Sequence, residues 1–133
     1  MRVPAVFPLV VYRGDTARWA FALYDDTAQT EPTDLTGVTP RSQIRDYPGG
    51  HLIAEVRCSI DECSKNQINA VLRYQESRNL PMSAFWDLGL RYLSGEWRTI
   101  LRGPVSVTPR VTTLDENWWR WNLHTPQGWR NPL

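Results

Sequence analysis

The stretch LPMSAFWDLGLRYLSGEWRTILRGPVSVTPRVT (residues 80–112) decides the fold. Trp86, Leu88, Leu90 and Tyr92 recur at every second position with Asp87, Gly89 and Arg91 between them, the period of a strand with one face buried. After a Ser94-Gly95 turn, Trp97, Thr99, Leu101, Val105 and Val107 keep the two-residue period through Gly103. Glu96, Arg98 and Arg102 then fall on the opposite face, interrupted only by Ile100. The segment reads as a β-hairpin, and its chemistry is architectural.

Outward from this hairpin, strand signals come at fairly even spacing with turn residues between them, the pattern of an all-β sandwich. Trp19, Phe21 and Leu23 alternate with Ala20, Ala22 and Tyr24 in a strand that could begin as early as Val10. Asp34-Leu35-Thr36-Gly37 is a turn, with Gly37 free to take positive φ, and residues 38–45 form a short strand. Beyond Tyr47-Pro48-Gly49-Gly50, the residues Leu52, Ala54, Val56 and Cys58 line one face of the next strand. Ile68, Ala70, Leu72 and Tyr74 line another. Residues 75–79 have room for one helical turn before Pro81 stops it. The expected fold is all-β: a single antiparallel β-sandwich, immunoglobulin-like or jelly-roll-like, over residues 10–112. Residues 1–9 form an extended N-terminal arm and residues 113–133 a Trp-rich C-terminal arm.

At 133 residues the chain fits one domain. Fifteen Lys plus Arg against fourteen Asp plus Glu leave a net charge of +1, too little to draw in nucleic acid or an anionic membrane. Lys65 is the only lysine. Arginine suits planar, bidentate contacts at interfaces, which tilts the surface toward protein partners. No run of eighteen apolar residues is present. The N-terminus is broken by Pro4 and Pro8 and lacks a signal-peptide exit, so the expectation is a chain folded in the cytoplasm that makes it.

Few side chains suggest catalysis. Cys58 and Cys63 could close a small loop but are more often free thiols in a chain this long, and His51 and His124 stand outside any ligand spacing, so no metal or cofactor is expected. Asp25 with Asp26, and Asp115 with Glu116, are read as solvated loop charges. Ser106, His124 and Asp87 can be assembled into a triad on paper, but no nucleophile elbow supports it. Arg13-Gly14-Asp15 spells an integrin tripeptide, yet opens directly into a strand and reads as a turn. The protein is taken as non-enzymatic.

Four of the seven tryptophans lie in LDENWWRWNLHTPQGWRNPL (residues 114–133). Tryptophan and arginine are the side chains most enriched at interface hot spots. Trp118, Trp119, Arg120, Trp121, Trp129 and Arg130 are therefore the candidate partner-binding residues. The competing reading has these rings capping the chain's own sandwich, and stacking on sugars is a third.

The residues also carry a family likeness. Tyr12-Arg13-Gly14-Asp15-Thr16, residues 21–25, Asp34-Leu35-Thr36-Gly37, Ile44-Arg45, Leu80-Pro81, Trp86-Asp87-Leu88 and residues 99–107 occur in an order that resembles small β-sandwich proteins of tailed bacteriophages. The likeness is to the N-terminal domain of siphophage baseplate upper proteins, over about residues 10–112. The resemblance implies a virion structural protein, made in the host cytoplasm, that docks neighbouring tail, baseplate or fibre subunits and repeats as a homo-oligomer. It implies no active site. This chain departs from the family in stopping soon after the sandwich, which favours an adaptor over a receptor binder. A capsid cement protein and a carbohydrate-binding module are the alternatives.

Overall fold

A computed structural model describes residues 4–111. Among them the strands β1 (Ala5–Val6), β2 (Leu9–Tyr12), β3 (Ala17–Ala22), β4 (Thr39–Arg45), β5 (Leu52–Ile60) and β6 (Gln67–Leu72) precede a single helical turn, α1 (Tyr74–Ser77). The hairpin β7 (Ser83–Arg91) and β8 (Trp97–Thr108) follows. The chain is all-β, as its alternation requires. Its strands form one continuous curled sheet in the order β1-β8-β7-β4-β5-β6-β3, with β2 also on β8. Strand β5 makes the curl: its first half, to Val56, pairs with β4, and its second half, from Arg57, pairs with β6. The concave side holds the core, with Ile44, Ile68, Leu72, Leu88, Leu90 and Val105 all at 1 % exposure or less.

Two expectations are corrected. The sheet is not purely antiparallel, because β1 and β2 lie parallel to β8. Within the stretch read as an arm, Ala5, Val6 and Leu9 are already paired to it. The register is constant across the interruption, Ala5 opposite Leu101 and Leu9 opposite Val105, which sets Phe7 beside Gly103 and Pro8 beside Pro104. Phe7 N–H donates to the Arg102 carbonyl at 2.8 Å. In a parallel ladder the Phe7 carbonyl would next accept from residue 104, but that residue is proline and has no N–H. The donor comes from another strand instead. The Trp86 indole N–H reaches across Gly103 to the Phe7 carbonyl at 2.7 Å. Phe7 and Phe21 meet edge to face at 5.2 Å between ring centroids, and Phe21 stacks on Trp86 at 6.0 Å. These contacts join β3, at one end of the sheet, to β7 and the N-terminal segment at the other.

The second correction concerns which residues face inward. In the hairpin, Leu88 pairs with Leu101 but Gly89 pairs with Thr99, so Ile100 is an extra residue in β8. Such a bulge reverses the parity of everything beyond it. Val105 and Val107 are buried as expected, whereas Trp97, expected on the same face, is 49 % exposed and lies on the outer side with Gly89 and Arg91. The same event occurs in β5: Ile44 pairs with Ala54 but Arg45 pairs with Leu52, leaving Ile53 over. Ala54 and Val56 remain in the core, and Leu52 turns outward.

Gly103 is the test of this arrangement. A Cβ there would sit 2.5 Å from the Phe7 carbonyl oxygen, a backbone atom with little freedom to yield. Gly103→Ala should destabilise the protein by about 1–3 kcal/mol in denaturant titration, the range for overpacking. It should also speed hydrogen exchange at the Phe7 amide more than at β6. Trp86→Phe, which keeps an aromatic ring but removes the donor, should produce the same localised exchange. Unchanged exchange at Phe7 in both variants would refute the role given to this contact.

Candidate functional site

The sequence candidates in the tail, Trp118, Trp119, Arg120, Trp121, Trp129 and Arg130, lie outside the described residues, as do Asp115, Glu116 and His124. The described chain leaves the sheet beside the turn between β2 and β3. There Arg110 donates to the Gly14 carbonyl at 2.8 Å and pairs with the Asp15 carboxylate. The opposite side of that turn is held by Ser77, fully buried, which accepts from Gly14 N–H at 3.0 Å and donates to the Asp15 carbonyl at 2.7 Å. Arg13 donates through Nε to the Leu80 carbonyl at 3.0 Å. The Arg13-Gly14-Asp15 motif is thus a pinned structural turn, each of its residues committed to contacts within the chain.

The loop carboxylates are likewise occupied. Asp26 accepts from the Thr30 hydroxyl and from the Glu31 amide, and these bonds hold its carboxyl below the usual value. Asp25 accepts from the Thr33 hydroxyl at 2.8 Å. Asp61 ties its loop through Asn69 and the Ser64 and Cys63 amides, which lower its pKa. Ser106 and Asp87 do not meet: Ser106 pairs with Ser83 and Asp87 with Arg102, four residues apart along the strands, or roughly 13 Å. Cys58 and Cys63 are both free thiols. Burial pushes the Cys58 thiol up to about 11, which makes it a poor nucleophile. Among the described residues no group of three or more His, Cys, Asp and Glu is placed to hold a metal ion.

The arrangement that sequence reading missed is on the convex side of β4, β7 and β8. Because the Ile100 bulge turns Trp97 outward, its ring lies against the bare Cα of Gly89, where a Cβ would come within 1.9 Å of Cζ2. The indole N–H donates to Thr99 Oγ1 at 3.2 Å, which fixes the ring. Next to it, β4 presents Arg41, Gln43 and Arg45 at alternate positions. Gln43 donates to Glu55 Oε1 at 2.7 Å and accepts from Arg45 at 2.9 Å, while Arg45 also donates to the Gly50 carbonyl at 2.8 Å. Arg41 reaches the same Glu55 oxygen at 3.4 Å and keeps its side chain 65 % exposed.

Asp87 sits in the middle of this face, cross-strand from Gln43. Two concavities meet at Gln43, Arg45 and Asp87: one of about 380 Å³ walled by Trp97 and Arg41, the other of about 330 Å³ walled by Phe85, Pro48 and Pro104. Desolvation raises the Asp87 pKa, and the charge of Arg45 opposes this only in part. The signal in the sequence was the polar alternation Arg41, Gln43, Arg45; the assignment of Trp97 to the buried face concealed it.

A second feature is the gap in the curl. Strand β3 pairs only with β6, and β1 only with β8, so two strand edges without a ladder partner among the described residues face the same groove. The groove has a volume of about 460 Å³; Ala5 of β1, Ala22 of β3 and Leu101 of β8 give it apolar wall, and Asp25, Thr33 and Arg98 give it polar wall.

No protein-family model matches the chain, and no curated protein matches it in sequence. Solved structures that match the chain include CopC from Methylosinus trichosporium OB3b, at a TM-score of 0.38 and 16 % identity over 59 % of this chain and 72 % of that one. The SrpA adhesin from Streptococcus sanguinis gives 0.47 and 11 % over 81 % of this chain and 58 % of that one. The bradyzoite-specific antigen BSR4 from Toxoplasma gondii gives 0.39 and 15 % over 87 % and 48 %.

The balance at Asp87 is measurable. Its carboxyl should titrate above the usual carboxylate value of 3.8 in carbon-detected NMR, and Arg45→Ala should move it higher still, since Arg45 is the opposing charge. A raised folded-state pKa favours the protonated form. Stability from this group is therefore complete below its unfolded pKa and lost as pH rises through the folded one. Asp87→Asn should accordingly be neutral or stabilising at pH 7 in denaturant titration; a marked loss would show that the ionised carboxylate supports the fold.

Proposed function

We propose that the chain is a non-enzymatic structural protein of a virion, an adaptor at a phage tail or baseplate that joins neighbouring subunits through its sheet edges and terminal segments. In this reading the curled sheet is a collapsed two-layer sandwich, with β3, β6 and the second half of β5 packed over the remainder. The observation that carries the proposal is the gap in the curl. Among the described residues, strands β1 and β3 leave backbone N–H and C=O groups without ladder partners on both sides of a groove of mixed polar and apolar lining, and such edges are templates for an added strand. The occupant is an extended segment of a neighbouring copy, in keeping with a protein repeated by symmetry. The order of short motifs, which resembles that of baseplate upper proteins, supports the same setting.

The test is to purify particles from the source and locate the chain with a gold-labelled antibody, alongside a variant lacking residues 114–133. Label at the tail end, with loss of incorporation by a variant that still folds, is the expected result. Label on the head would reassign the protein as capsid cement. Absence of label from every particle would remove the virion reading.

A further inference from the structure

Apart from the groove and the terminal segments, the outer face of β4, β7 and β8 has the composition of a ligand site, and nothing in the fold requires it. Trp97 is large, apolar and half exposed on a strand face where Arg91, its cross-strand partner, is solvated. Two devices hold it there, the bulge at Ile100 and the missing side chain of Gly89. Asp87, in the same concavity, has neither a hydrogen bond nor an ion pair from its carboxylate among the described residues, although Gln43, Arg45 and Glu55 around it are linked to one another. A carboxylate left as an acceptor beside a fixed aromatic ring calls for a ligand with an apolar face and several hydroxyl donors.

We infer that this face binds a saccharide of two or more pyranose units, one ring stacked on Trp97 and its hydroxyls donating to Asp87. A pyranose has a C–H face that packs against an aromatic ring, and hydroxyls that satisfy carboxylates and guanidinium groups together. Arg41, largely exposed, supplies free N–H donors to the sugar oxygens. The adjoining concavity between Phe85, Pro48 and Pro104 takes the next unit, so the saccharide crosses the saddle formed by Gln43, Arg45 and Asp87. A phosphate chain or an acidic peptide would find cations at Arg41, Arg45 and Arg102, but would bring its anions up to the Asp87 carboxylate at the centre of the face and leave that acceptor without a donor. The site is independent of the proposed docking role, and its failure would leave that role standing.

Lactose, maltose, cellobiose and N,N′-diacetylchitobiose, titrated into the full chain, provide the test, read by proton–nitrogen NMR at the Trp97 indole and the Gln43 side-chain amide. At least one should give saturable shifts at both groups with a Kd on the order of 1 mM, typical of a shallow open site. Asp87→Asn preserves shape at an exposed position, so it should fold while weakening binding about tenfold or more. Arg41→Ala, a change at an exposed side chain, should also weaken it. Trp97→Ala should abolish it. No shift at Trp97 with any of the four sugars at about ten times that concentration would overturn the inference. So would shifts that persist in Trp97→Ala and therefore belong to other tryptophans.

Discussion

The hydrogen bond from the Trp86 indole to the Phe7 carbonyl is the contact on which the curl depends, and it exists because residue 104 is proline. A parallel partner strand would have supplied that hydrogen from its own backbone. With no N–H available, a side chain two strands away completes the ladder, and the residue between them is a glycine because a Cβ there would run into the Phe7 carbonyl oxygen. The same tryptophan then stacks on Phe21 of β3, the strand at the far end of the sheet. Each aromatic pair of this kind adds about 0.5–1.5 kcal/mol beyond its buried area. One side chain thus attaches the N-terminal segment, covers the core and draws the two ends of the sheet together.

The hairpin was legible because its first strand alternates without interruption: Trp86, Leu88 and Leu90 are buried, while Asp87 and Arg91 face out. What could not be read is where alternation changes phase. A bulge is a property of a strand pair, and neither Ile53 nor Ile100 differs in composition from its neighbours. A regular strand and a bulged one therefore share a sequence pattern but place Leu52 and Trp97 on opposite sides. The parallel pairing of β1 and β2 was hidden for a related reason. Pro4 and Pro8 argue against a central strand, but an edge strand has one neighbour and tolerates missing donors.

The misreading of phase had a functional consequence. With Trp97 assigned to the core, the cluster of aromatic and basic residues that stood out was in the tail, and residues 38–45 read only as a short strand. Once Trp97 is outside, those three side chains, Asp87 and the indole share one surface. The motifs that did attract notice were absorbed by local structure. Arg13-Gly14-Asp15 is clamped between Ser77 and Arg110, and the Asp25–Asp26 pair closes its own loop.

The carboxylates themselves separate structure from function. Asp26, Asp34 and Asp61 accept hydrogen bonds within their loops, which lower their pKa, so they add stability above the ordinary carboxylate value and lose it as pH falls through the folded one. Asp87 has the opposite sign: desolvation by the folded sheet disfavours its charged form, and the charge of Arg45 offsets this only in part, with no hydrogen-bond donor from the described residues. Asparagine would occupy the same place on the strand without that cost. Hydroxyls arriving at Asp87 would supply the missing donors, lower its pKa and convert an unfavourable charge into an anchor. By linkage the affinity gained from ionised Asp87 and the fall in its pKa on binding are one free energy, so a ligand that donates to Asp87 should bind more tightly as pH rises through its pKa in the empty protein.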